Sequence, residues 1–298
     1  MTDRAVSKTI NSGKIRTTMK TLRALLAVGV PLVILPSARA DALFTEGFNY
    51  STGTLATVGT GTWTGANANL AVTSGGLSYS GLADTSPSGN QLTVTSGVSA
   101  GTSAANFTST AISSGTVYYS FLAQCTTLPT GNSYISSLLA SGSPNGSADA
   151  LSIYVGQQTA GSAFKIGVRH GGSGATYTSG SWATLGTVNL FVVGYTFNPN
   201  ANDDTVSLWV NPTPGAAMPA ADVTVTTGGT TADAASLQVV GFKAQSSASV
   251  GNWVFDTLRV DTSWDGVVPA SVTVPEPSVA ALAGLGALGL LARRAARK

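Results

Sequence analysis

From Leu43 to Val260 the chain never sustains the 3.6-residue apolar period of an amphipathic helix. It breaks instead into short runs of β-branched, aromatic and aliphatic residues, each closed by Gly, Ser, Thr, Asn or Pro. That pattern predicts strands joined by turns. The predicted strands are 43–48, 76–80, 91–95, 106–110, 116–124, 134–140, 150–155, 164–168, 187–197, 205–211, 236–243 and 253–260. Alternation is clearest in 205–211, where Val206, Leu208 and Val210 fall on one face and Ser207 and Trp209 on the other. Asn198-Pro-Asn-Ala-Asn-Asp-Asp204, before it, reads as a hairpin loop. Strands without helices to cover them bury their apolar faces by packing sheet on sheet. The expected class is all-β, an antiparallel β-sandwich.

The ends have a different composition. Arg4, Lys8, Lys14, Arg16, Lys20 and Arg23 precede an apolar run over 24–35, and Ser37-Ala-Arg-Ala40 follows with small residues. This is the layout of a secretory signal peptide over 1–40, cut by signal peptidase after Ala40. At the other end Val274-Pro-Glu-Pro-Ser278 leads into an uncharged apolar run over 279–292 and then Arg293-Arg-Ala-Ala-Arg-Lys298. Pro275 and Pro277 keep the chain extended. The apolar run can enter lipid as a short transmembrane helix, and the basic cluster favours the cytoplasmic side. At about 14 residues, against the roughly 20 of a stable span, the run suits a transient stop in the inner membrane.

The order Pro275-Glu276-Pro277, apolar run, Arg293-Arg294 resembles the PEP-CTERM sorting signal, here residues 274–298. The resemblance implies recognition and processing by exosortase, the membrane protease-transpeptidase of exopolysaccharide-producing Gram-negative bacteria. Two stretches of the body, Asp204-Thr-Val-Ser-Leu-Trp-Val-Asn-Pro212 and Phe255-Asp-Thr-Leu-Arg-Val-Asp-Thr-Ser-Trp264, are similar to late strands of concanavalin-like (LamG-like) jelly rolls in exported proteins of that kind. Glu46-Gly-Phe-Asn-Tyr50 and Gly76-Leu-Ser-Tyr79 fit the same group. The resemblance implies one jelly-roll sandwich over 41–266 and a linker over 267–273.

The formal charge of +2 belongs to the ends. Seven of the 15 bases lie in the signal region and four in the tail, which leaves Lys165, Arg169, Lys243 and Arg259. Twelve acids face those four bases, so residues 41–277 carry −8. Such a body is no partner for nucleic acid or an anionic membrane, which need clustered Lys and Arg. Cys125 is the single cysteine and reads as a buried small apolar residue, so no internal disulfide forms.

Catalytic patterns are sparse. Glycoside hydrolysis needs two carboxylates flanking the scissile bond, yet the body has one Glu before the tail, Glu46. Asp256 and Asp261 are five apart, which on a regular strand places them on opposite faces. Gly97-Val-Ser99-Ala-Gly101, with Asp149 and His170 following, matches a nucleophile elbow in letters. That motif has meaning only on a strand-to-helix turn, and here another strand follows, so it reads as turn chemistry. One His and one Cys do not make a zinc site. Asn200, Asn202, Asp203 and Asp204 gather oxygen ligands in one loop, and two readings stand: a solvated turn or a structural calcium. Trp63 and Trp182 lie in Gly-rich polar surroundings. They read either as rings that stack on sugar faces or as rings pinning loops to the core, whereas Trp209, Trp253 and Trp264 read as packing residues.

The expected protein is therefore exported through an anchored intermediate to the cell surface or extracellular matrix. It is non-catalytic, and extracellular polysaccharide is its expected partner. A hydrolase or lyase on the same fold and a protein-binding adhesin are the alternatives.

Overall fold

The computed structural model describes residues 42–271, apart from 66, 86–87, 146–148, 157–162, 179–182 and 227–231, together with 293–294. The signal region, Trp182, the Pro275-Glu276-Pro277 motif and the apolar run lie outside the described residues; Arg293 and Arg294 are exposed.

In chain order the strands are β1 (Phe44–Glu46), β2 (Gly53–Thr54), β3 (Trp63–Thr64), β4 (Leu70–Ser74), β5 (Asn90–Val94), β6 (Gly101–Asn106), β7 (Gly115–Thr127), β8 (Ser133–Leu139) and β9 (Leu151–Gly156). They continue with β10 (Ala163–His170), β11 (Thr176–Tyr177), β12 (Ala183–Thr184), β13 (Val188–Phe197), β14 (Thr205–Val210), β15 (Val223–Thr226), β16 (Val239–Ala244) and β17 (Asn252–Asp261). Two one-turn helices, α1 (Leu55–Val58) and α2 (Trp264–Val267), are added. The strands form two antiparallel sheets. The larger runs β15-β14-β13-β7-β17-β5-β4-β2, with β1 also on β17; the smaller runs β11-β10-β9-β8-β16-β6-β3, with β12 also on β10. The expected sandwich is the fold.

Period two decides what lies between the sheets. Val117, Tyr119, Phe121, Ala123 and Cys125 of β7 point inward, as do Phe164, Ile166 and Val168 of β10. Phe121 ties the layers together, its ring 5.9 Å from Phe191, 5.5 Å from Phe255 and 6.1 Å from Phe242 of the opposite sheet. Each such side chain withdrawn from water contributes about 1.5–3 kcal/mol. Val206 and Leu208 join this core while Trp209 faces away, as the alternation predicts.

The outer face of the larger sheet is not bare. Leu122, Leu190, Val192, Trp209 and Val254 are roofed by Leu77, Leu82, Trp264, Val267 and Val268. Hydrogen bonds fix the roof: Trp209 Nε1 donates to the Pro219 carbonyl at 3.0 Å and Trp264 Nε1 to that of Ala216 at 3.1 Å. Ser263 caps α2, its Oγ accepting from Gly266 N at 3.1 Å. Burial on both faces explains why Leu190–Val193 is uninterruptedly apolar. It also gives places to two segments read otherwise in the sequence. Residues 76–80 are not a strand: Gly75, at φ 114°, turns the chain off β4 and sends Leu77 into the roof. Residues 267–271, expected as linker, belong to the roof, with Ala83 N on Pro269 O (3.0 Å) and Ser271 N on Gly81 O (2.7 Å).

Two bulges change which side chains share a face. In β17 the register shifts between Asp256 and Arg259, and Thr257 adopts φ 51°. Phe255 and Leu258 both face the core, so Asp256 and Arg259 face the roof together. Val260 is again in the core, which returns Asp261 to the outer side. The two aspartates expected on opposite faces therefore share one, because the extra residue inverts the parity. A second shift, between Tyr134 and Ser136 in the β8–β9 pairing, leaves Ile135 inward and brings Tyr134 and Ser137 to the same outer face.

Candidate functional site

Among the described residues the outer face of the smaller sheet is partly covered: Lys165 is exposed and Tyr154, Arg169 and Lys243 part-exposed, while Tyr134, Ser137, Ser152 and Gly241 are buried. Its floor follows from register. Tyr134 of β8 is opposite Tyr154 of β9, and Tyr154 is opposite Gly167 of β10. One step along, Gly241 of β16, Ser137, Ser152 and Arg169 form the next row. Lys243 lies two residues from Gly241 on β16 and so shares its face. On β10 the same alternation puts Lys165 and Arg169 outside while Phe164, Ile166 and Val168 fill the core.

The rings and cations interlock. The Tyr134 and Tyr154 centroids are 5.7 Å apart. Lys243 Nζ donates to the Tyr134 hydroxyl and sits 4.6 Å from the ring centroid. The Arg169 guanidinium carbon lies 5.1 Å from the Tyr154 centroid, a cation–π contact. Tyr177 closes the end of the row. Its ring lies on Gly156 and Gly167, where a Cβ would come within 3.0 Å and 2.7 Å of ring carbons. On the flank, Pro144 packs over Gly241, where a Cβ would lie 2.5 Å from its Cγ. Asp149 lies beneath this flank, with no exposure. Its Oδ2 accepts from Ser137 Oγ at 2.7 Å and Ser152 Oγ at 3.2 Å, and its Oδ1 from Asn145 N at 3.0 Å.

Burial sets the electrostatics. It lowers the Lys243 pKa, against the pull of Asp149. It raises Tyr134 and Tyr154, and pushes Tyr177 up to about 12. All three tyrosines are thus neutral hydroxyl donors at neutral pH. Arg169 differs from the others: its Nε and Nη2 are buried and, among the described residues, have no hydrogen-bond partner. On the far side of the Pro144 loop a cleft of about 310 Å³ opens on the same face, lined by Phe44, Thr62, Thr64, Asn106, Gly142 and Val239 among others.

The residues singled out in the sequence lie elsewhere. Trp63 is corrected: at 2 % exposure it is a core ring, stacked on Phe48 with centroids 5.9 Å apart and 5.9 Å from Phe242. Its Nε1 is bonded to Glu46, so neither face is free for a sugar. The loop 198–204 is divided. Asp203 Oδ2 accepts from Asn200 Nδ2 at 2.8 Å, while Asp204 turns inward and accepts from Asn198 N and the Tyr195 hydroxyl, both at 2.6 Å. Asn202 takes a left-handed φ of 60°. Donor atoms converge instead at His170, Asp204 and Asp233, a ring nitrogen and two carboxylate oxygens mutually within 4.8 Å. Among the described residues, this trio is a set of donors close enough together to hold a cation. The Tyr195 hydroxyl stands among them, 3.2 Å from His170 Nε2 and accepting from Ala234 N at 2.8 Å. Burial lowers the His170 pKa, with Asp233 and Asp204 opposing. Ser99 accepts from Asn69 Nδ2 at 2.9 Å and precedes β6, not a helix, as turn chemistry requires.

The outer face went unread in the sequence because its members are scattered from residue 134 to 243. One signal was available: three of the four bases of an acidic body occupy strands β10 and β16 at outward positions.

Residues 273–298 match the PEP-CTERM protein-sorting motif. That motif marks proteins that are exported, held transiently in the membrane and released to the cell surface or matrix, with processing by exosortase. No curated protein sequence matches the chain. Similar solved structures include the carbohydrate recognition domain of Emp46p in metal-free form (9 % identity, 76 % of this chain and 99 % of that one, TM-score 0.44). A legume lectin-like domain from Entamoeba histolytica (8 %, 75 % and 98 %, TM-score 0.39) and alginate lyase vAL-1 from Chlorella virus (11 %, 71 % and 98 %, TM-score 0.40) are others.

Proposed function

From the premise of an exported protein with a C-terminal sorting motif, we propose that this is a non-catalytic glycan-binding protein of the cell surface or extracellular matrix. The observation that carries the reading is the part-exposed Tyr154 ring on the outer face of the smaller sheet, backed by the buried Tyr134 ring and flanked by Tyr177, Arg169 and Lys243. Aromatic rings offer apolar surface to the CH faces of sugars, and the surrounding hydroxyls and cations offer hydrogen bonds to the ring substituents. The carboxylate nearest this floor, Asp149, is held by two serine hydroxyls and a backbone N–H, which leaves it poorly placed as an acid or base. Tyr134 is bonded to Lys243 and its pKa is raised, which keeps its proton in place.

The test is an array of polysaccharides probed with the full chain and a Tyr154→Ala variant, with and without a calcium chelator. Binding by the parent and at least tenfold loss in the variant is the expected result. Loss on chelation would add calcium to the reading, at the 198–204 loop or the His170 trio. Release of reducing ends or unsaturated sugars would overturn the non-catalytic part.

A further inference from the structure

We infer that the sugar polymer taken by this face is anionic, its acidic groups received by Arg169 and Lys243 on either side of the tyrosine pair. The inference rests on the glycan-binding reading above and adds the class of ligand. The body carries twelve acids and four bases, so its mean field repels polyanions. One base, Arg259, is already engaged with Asp84 at 2.8 Å in the larger sheet. The other three, Lys165, Arg169 and Lys243, all stand on the outer face of the smaller sheet.

A guanidinium carries five donors in a planar fork, and buried donors are costly when unpaired. Arg169 is half-buried, its contact with Tyr154 satisfies no N–H, and its Nε and Nη2 have no partner among the described residues. The neighbouring Asp149 spends its oxygens on Ser137, Ser152 and Asn145. The part-exposed side chain would reach an incoming carboxylate or sulfate by swinging outward, which would also pair the two donors that are buried and unpaired where they stand. Lys243, held against Tyr134 at the other end of the ring pair, gives a second positive point, and exposed Lys165 a third. Rings bind the sugar face while cations bind its acidic substituents, so one polymer satisfies both.

The test measures binding of the full chain to three probes of matched size: polygalacturonate, dextran sulfate and uncharged dextran. Expected is binding to one or both polyanions at least tenfold tighter than to dextran, weakening as salt rises from 20 to about 300 mM because the cations are part-exposed. Preference between the two polyanions tells a carboxylate ligand from a sulfate ester. Arg169→Gln and Lys243→Gln should each reduce polyanion binding at least fivefold, and reduce it more than they reduce binding to dextran. Lys165→Gln, at an exposed position that folding does not need, should reduce it two- to threefold. Equal binding to all three probes without salt dependence would overturn the anionic class and leave the glycan-binding face standing. No binding to any probe, together with a blank polysaccharide array, would overturn both.

Discussion

The Trp63 indole donates through Nε1 to Oε2 of Glu46 at 2.8 Å. The same carboxylate accepts from Phe48 N at 2.6 Å and from the Tyr50 hydroxyl at 2.5 Å. The body's single Glu ahead of the tail is therefore spent on holding β1, β3 and the turn between Phe48 and Tyr50. Glu46→Ala is expected to destabilise the fold by about 2–3 kcal/mol, since it strands a buried indole N–H and a backbone N–H. Urea unfolding of the variant checks this. A change under about 0.5 kcal/mol would show that the contact carries no stability.

Asp256 sits under the roof, accepting from Leu77 N at 2.8 Å and Thr257 N at 2.6 Å. Burial, outweighing these bonds, raises its pKa to about 6. The folded state then holds a proton that the unfolded state has released between roughly pH 4 and 6. The contribution of this group is full below about pH 4 and is lost as pH rises through 6. The upper bound is about 3 kcal/mol, two units at 1.4 kcal/mol each. The difference in unfolding free energy between the parent and Asp256→Asn should fall over that window and be flat above pH 7. A flat difference throughout would refute the shift.

Gly167 lets the chain beyond β10 lie against bare backbone. A Cβ there would come 2.4 Å from the Thr176 carbonyl oxygen and 2.7 Å from a Tyr177 ring carbon. Gly167→Ala should push β11 and Tyr177 off the sheet, lowering stability by about 1–3 kcal/mol and weakening glycan binding several-fold. Thermal melting and the binding assay read the two effects separately. Tyr177→Ala should weaken binding without the full loss of stability.

Cys125 faces the core, its Sγ bonded to the Thr127 carbonyl at 3.1 Å, and burial pushes its pKa up to about 12. Thiolate is the reactive form. In the folded protein at pH 8 the thiol should react with an aromatic disulfide reagent at least a hundredfold more slowly than in 6 M guanidinium. Rapid stoichiometric labelling of the native protein would contradict the packing described.

Sandwich architecture was legible wherever one face is richly apolar. The run over 116–124 supplies Tyr119 and Phe121 to the core and became the middle of β7. Strand β6 was anticipated only at its last residue, because Gly-Thr-Ser-Ala-Ala-Asn has no large residue to signal it. Its small side chains suit the crowding there: Ser103 bonds the Gly65 carbonyl at 3.0 Å, and Ala104 packs under Leu139 and Val239. The bulge at Thr257 left no mark either, since parity along a strand is read by assuming no inserted residue. The site escaped for a different reason. Arg169 and Lys243 meet the tyrosines through pairing across four strands, a relation set by register rather than by spacing along the chain.

The roof over the larger sheet also governs the end of the chain. Ser271 is still hydrogen-bonded to Gly81, and Pro275 opens the sorting motif four residues later. The uncharged run begins at Val279, eight residues beyond Ser271, and an extended chain spans at most about 3.5 Å per residue, so the tether to the lipid is no longer than about 28 Å. While the tail is in the bilayer, the finished sandwich must ride close against the lipid surface.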